Sequence, residues 1–92
     1  MRLRRMPWRP ELSFPIKMRG GETLRTLEDA MLVLGERSVL LPFNERREAA
    51  EAALERAAQT HLPDDIRTAT ELAYDYFRSE GKLARARIAR QR

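Results

Sequence analysis

The sequence predicts an α+β fold: a small two-layer domain with an N-terminal β-hairpin packed on about three helices. Three observations carry this expectation. Apolar residues alternate with polar ones from Ser13 to Met18, just ahead of a Gly-Gly pair. Two later stretches repeat apolar residues at helical spacing, and an alanine-rich stretch lies between them. With 92 residues there is material for one domain and one modest core.

In chain order, Pro7, Pro10 and Pro15 forbid a helix over residues 7–15 and favour an extended path. Phe14, Ile16 and Met18 then stand at the two-residue period of a half-buried strand, with Pro15 placing that strand at an edge. Gly20-Gly21 supplies the positive φ angles of a tight turn, and Thr23-Leu24-Arg25 reads as the returning strand. Thr26 is a candidate N-cap with Asp29 three residues on, close to a capping box. Leu27, Ala30, Met31 and Leu34 form one helical face, and Gly35 is placed to stop that helix. Residues 38–43 are apolar without helical period, so they read as either a third short strand or a buried connection over the core.

Asn44 is the candidate cap of the next helix, with Glu45 and Glu48 in its first turns, where the helix dipole favours anions. The stretch to His61 has the strongest helix propensity in the chain. Its small residues Ala49, Ala50, Ala53 and Ala57 permit close approach of another element around Leu54. Pro63 is expected to end it, and Asp64 or Asp65 to open a last helix. In that helix Ile66, Ala69, Ala73 and Phe77 form a stripe with Leu72 and Tyr76 beside it, and Gly81 stops it. The expected organisation is an extended basic arm over 1–11, one α+β domain over 12–81 and a basic tail over 82–92.

Composition narrows the function classes. The hydrophobic fraction of 42% with 35% charged residues fits a globular protein with a polar surface. There is no cysteine, hence no disulfide or thiolate metal site. No apolar run reaches the ~18–20 residues of a membrane span. The basic start Met1 to Met6 runs into Pro7-Trp8-Arg9-Pro10, not into the apolar core of a secretory signal, so a cytoplasmic location is expected. The net charge of +4 conceals a segregation. Nine basic residues and no acid lie in 1–10 and 82–92, while the fourteen acids and the other nine bases leave residues 11–81 at −5.

No residue pattern suggests catalysis, a cofactor or a metal, and a non-enzyme is expected. The single histidine, His61, sits at a helix end, where histidine commonly meets the last carbonyls. Ser13, Ser38 and Ser79 lack the surroundings of a nucleophile. Glu48, Glu51 and Glu55 fall on one helix face near Arg47 and Arg56, the pattern of a solvated ion-paired face. Gly20-Gly21 lacks the spacing and the lysine of a phosphate loop.

The basic ends are the feature with an evident ligand class. Arg4 and Arg5 in the arm, and Arg85, Arg87, Arg90 and Arg92 in the tail, are the candidate nucleic-acid contacts, since phosphate neutralisation dominates such affinity. The plain alternative is a solubilising terminus. Trp8 reads as packing on the domain edge, with base stacking as the other use. Tyr76 and Phe77 read as core, and Tyr74 as more exposed. The leading expectation is a protein-interaction or regulatory module that binds another protein or itself, without a membrane. Nucleic-acid binding through the termini is the second.

The stretch Phe14-Pro15-Ile16-Lys17, Gly21 and Leu24-Arg25-Thr26-Leu27-Glu28-Asp29-Ala30 to Leu34 resembles the opening of a family of short bacterial proteins, domain of unknown function 982, found mostly in rhizobia. The resemblance covers about residues 12–83, with Leu41-Pro42-Phe43 where members carry Trp-Pro. It implies the same hairpin-then-helices order and no assigned activity.

Overall fold

A computed structural model describes residues 7–84, which form β1 (Glu11–Lys17), β2 (Thr23–Thr26), α1 (Leu27–Leu40), α2 (Glu45–Thr60) and α3 (Pro63–Ser79). The strands pair as an antiparallel hairpin lying against the helices, the small α+β architecture the sequence predicts. Ile16, Leu24, Leu27, Leu34, Leu54, Tyr76 and Phe77 are among its large buried residues, and alanines of α2 and α3 let those helices approach closely.

The hairpin is irregular for a reason visible in the sequence. Ile16 pairs with Leu24 and Glu11 with Thr26, so Leu12 to Pro15 all oppose the single residue Arg25. Pro15 has no N–H to give the ladder, and a bulge is where a strand tolerates it. The strand therefore begins four residues before Pro15. The bulge turns Phe14 outward, so the inner residues are Leu12, Ile16 and Met18 and not the expected Phe14, Ile16 and Met18. Phe14 packs edge-on against Tyr74, ring centroids 5.7 Å apart. The bulge frees the Ser13 N–H, which donates to Thr70 Oγ1 at 3.0 Å, while that hydroxyl donates to the Ile66 carbonyl at 2.7 Å. A buried threonine on α3 thus satisfies a backbone group the sheet leaves over.

Thr26 caps α1 in a full capping box with Asp29. The carbonyls of Pro10 and Trp8 accept from the N–H groups of Leu27 and Glu28, which ties the extended arm to the helix start. The helix does not stop at Gly35. It continues to Leu40, and Leu41 is extended at φ −119°, ψ 158°. Glu36 and Arg37 are good helix formers, whereas Pro42 disfavours the helical conformation for the residue before it, so proline and not glycine sets the end.

Asn44 caps α2, its Oδ1 accepting from the Arg47 N–H at 3.0 Å. The helix ends at His61, which is left-handed at φ 57°. Pro63 does not end α2. It is the first residue of α3, where its missing N–H costs nothing, and Leu62 precedes it in extended form. Asp64 and Asp65 lie in the first turn and cap nothing. Of the expected small face of α2, Ala50 and Ala57 are buried, Ala53 is half-buried and Ala49 is exposed.

After α3 the chain closes in a Schellman motif. Lys82 N–H donates to the Phe77 carbonyl and Gly81 N–H to that of Arg78, with Gly81 at φ +69°. Leu83 then bridges Met18 on the free edge of β1, flanked by Arg19 N–H to Lys82 O at 2.7 Å and Ala84 N–H to Lys17 O at 2.9 Å. No helix among the described residues is long and apolar enough to cross a membrane.

Candidate interaction surface

The segment that the sequence leaves open, residues 38–43, is neither a strand nor a buried connection. Ser38 to Leu40 complete α1, and Leu41 to Phe43 are an irregular link. Its apolar side chains face outward: Val39 is 83% exposed, Leu40 78% and Phe43 75%. The helix geometry explains this. At 3.6 residues per turn, Val39 and Leu40 lie about 140° and 120° around the helix from Leu34, on opposite sides of the buried stripe. The positions that continue the stripe are Arg37 and Ser38, which are polar.

With Leu32, two turns earlier on α1, and Leu41, these side chains expose on the order of 300 Å² of apolar surface, taking ~25 cal/mol per Å² and the transfer energies of such side chains. Isolated exposed apolar residues are ordinary, whereas Val39, Leu40, Leu41 and Phe43 are four exposed apolar side chains within five successive residues, a density that on a monomer is often functional. Along the chain this run is flanked by both signs of charge, Glu36 and Arg37 before it and Glu45, Arg46 and Glu48 after it.

Arg47 pins the patch from beneath. It is 2% exposed, its Nη2 donates to the Pro42 carbonyl at 2.8 Å, and its Nε to Ser38 Oγ at 3.2 Å. Ser38 in turn donates to Glu51. The row of glutamates expected to be solvated and ion-paired is thus split: Glu51 is half-buried in this network, whereas Glu48 and Glu55 are exposed. Arg56 reaches Asp65 at 3.5 Å, not the row. Among the described residues no carboxylate lies within 4 Å of the Arg47 guanidinium. Sequence reading misses Arg47 as a buried residue, because its position on the α2 face looks like that of any surface arginine.

A cleft of about 210 Å³ opens beside the patch, lined by Leu41, Pro42, Phe43, Asn44, Arg47, Tyr76 and Glu80. Tyr76 is core, as expected, and Tyr74 is half-buried.

Six residues singled out for nucleic acid, Arg4, Arg5, Arg85, Arg87, Arg90 and Arg92, lie outside the described residues. Of the tail, Lys82 to Ala84 are joined to β1 as above, beside Arg19 and Arg78. Both of those arginines are engaged, Arg19 Nη1 with the Gly81 carbonyl at 3.0 Å and Arg78 with Asp75 at 3.3 Å. His61 ends α2 through its backbone, while its Nε2 lies 3.1 Å from the Pro7 carbonyl and not on the last carbonyls of α2. Trp8 is half-buried against the core. Among the described residues no three His, Asp or Glu side chains are grouped to hold a metal ion.

Fold and surface together define a small hairpin-first α+β domain with an apolar corner built on the end of α1. No family model, no curated protein and no solved structure matches this chain. The resemblance to domain of unknown function 982 therefore rests on the residues quoted for it.

Proposed function

We propose that the chain is a non-enzymatic interaction module that pairs with a second copy of itself through Leu32 and Val39 to Phe43. The observation that carries this reading is the outward exposure of Val39, Leu40 and Phe43, close together in the chain, on a segment held in place by a buried arginine. The rim favours a copy over a membrane or a phosphate backbone. Its acids alternate with bases along the chain, Glu36 beside Arg37 and Glu45 beside Arg46, and an isologous contact requires such self-complementarity. The hairpin edges are poor rivals. Pro15 has no N–H, the Ser13 N–H is taken by Thr70, and the Arg25 N–H donates to Asp29 at 2.8 Å.

A patch on the order of 300 Å² is under half the ~800 Å² per partner of a standard interface, so the dimer is weak and exchanges rapidly. Size-exclusion chromatography with light scattering from about 5 µM to 1 mM should show mass rising with concentration. The Val39→Asp/Phe43→Ser variant should stay monomeric with an unchanged melting temperature. A strict monomer throughout removes the reading.

The nucleic-acid reading is supported by the placement of Lys82 to Ala84 beside Lys17 and Arg19, next in the chain to the arginines at 85–92. Its test is a salt-dependent gel shift lost when the chain ends at Ala84, the point that keeps the β1 contacts.

A further inference from the structure

The geometry points to the cleft beneath Leu41 and Phe43 as a binding site for a carboxylate, supplied by an acidic side chain of the second copy; it rests on the pairing surface proposed above.

Two polar groups with unmet hydrogen-bonding capacity meet in this cleft. Arg47 is 2% exposed and spends Nε and Nη2 on Ser38 and Pro42, leaving Nη1 without a partner among the described residues. Tyr76 is 1% exposed, and its hydroxyl makes no hydrogen bond among the described residues. Neither atom is sealed off: the one buried side-chain polar atom without a partner or solvent among the described residues is the Nε of Arg37. Both residues line the cleft.

The electrostatics select the ligand. A guanidinium removed from water is costly unless an anion compensates it, and no carboxylate lies within 4 Å of this one among the described residues. Glu51 reaches it only through the Ser38 hydroxyl. The amino-terminal end of α2, beginning at Asn44, adds its positive dipole end to the same cleft. A carboxylate is planar and accepts two hydrogen bonds, one from Arg47 Nη1 and one from the Tyr76 hydroxyl. A volume of about 210 Å³ takes such a group with a short apolar stem, and the exposed rings and methyls at the mouth take the rest. Glu80 on the rim opposes an anion and limits the affinity.

The test uses the full chain and sodium benzoate, with benzamide as the uncharged isostere, followed by ¹H–¹⁵N NMR. Benzoate should shift the Leu41, Phe43, Arg47 and Tyr76 resonances and bind about tenfold tighter than benzamide, as expected for a charge-assisted bond. Tyr76→Phe should weaken benzoate about tenfold. Glu80→Gln, an exposed change that leaves folding untouched, should tighten it severalfold. Equal binding of benzoate and benzamide, no shift at the cleft, or no gain with Glu80→Gln would overturn the site. Benzoate should also lower the dimer fraction in light scattering. Benzoate that binds the cleft but leaves self-association unaltered, or that binds a strict monomer, would overturn the side-chain source and identify a free carboxylic acid as the ligand.

Discussion

Replacing Arg47 by methionine tests whether this residue serves stability or the surface. The guanidinium loses bonds to the Pro42 carbonyl at 2.8 Å and to Ser38 at 3.2 Å, the second long enough to be weak. Hydrogen bonds from a charged donor are worth about 1.5–3 kcal/mol each, so the pair contributes about 3–5 kcal/mol. Against this stands the cost of holding a 2%-exposed cation without a carboxylate within 4 Å among the described residues, several kcal/mol for a single ion. Pro42 is exposed, so water can replace the lost donor, and Ser38 keeps its bond to Glu51. Methionine retains the unbranched stem and removes the charge. The two terms leave Arg47→Met within about 1.5 kcal/mol of the wild type, compared with about 2–5 kcal/mol for Leu54→Ala in the core. Arg47→Lys should be worse than methionine, since it keeps the buried charge and gives up the two-pronged geometry. Urea denaturation followed by circular dichroism measures all three, and hydrogen exchange should show faster opening over residues 38–43 in the methionine variant. A loss above about 3 kcal/mol for Arg47→Met, or lysine outperforming methionine, refutes the reasoning.

Three further outcomes are expected. His61→Gly should raise stability by about 0.5–1 kcal/mol in thermal melts, because a left-handed side-chain residue at φ 57° is strained and the bond to Pro7 that it gives up is exposed. Thr70→Val should cost about 2 kcal/mol by stranding the Ser13 N–H, and Thr70→Ser, which keeps the hydroxyl, about 1 kcal/mol; chemical denaturation ranks them, and a valine milder than serine would count against the bulge role. A chain ending at Gly81 should be about 2–4 kcal/mol less stable than one ending at Ala84, since it lacks the backbone bonds to Phe77, Lys17 and Arg19 and the packing of Leu83; equal melting temperatures would show the edge pairing to be idle.

Much of the scaffold was legible because its signals are local. The Thr26–Asp29 capping box, the Asn44 cap, the turn in which Gly21 and not Gly20 takes the positive φ, and the stop at Gly81 each depend on a handful of neighbouring residues whose side chains or φ angles close hydrogen bonds near them. The stripe on α3 was legible for a similar reason: a helix repeats every 3.6 residues whatever packs on it, and Ala69, Ala73 and Phe77 are buried with Tyr76 beside them, while Ile66 and Leu72 are half-buried. Where two local signals compete, the one that imposes a conformation overrides the one that only permits it. Gly35 permits a stop but does not impose one, whereas Pro42 does; Pro63 forbids helix interior but suits a first turn.

The candidate surface was decided by tertiary structure. From the sequence alone, an apolar run such as Val39 to Phe43 looks like core, and an arginine such as Arg47 looks like surface. Their places are exchanged because α2 approaches the end of α1 closely enough for Arg47 to reach the Pro42 carbonyl and Ser38, which turns the link and points its apolar groups away. The bulge is similar, since the Ser13 N–H can leave the ladder only because Thr70, 57 residues later in the chain, is there to accept it. The sequence alone determined the order of the elements, the caps at Thr26 and Asn44 and the segregation of charge between termini and body. Which side of each element meets another depends on contacts between residues far apart in the chain, and no local pattern encodes those.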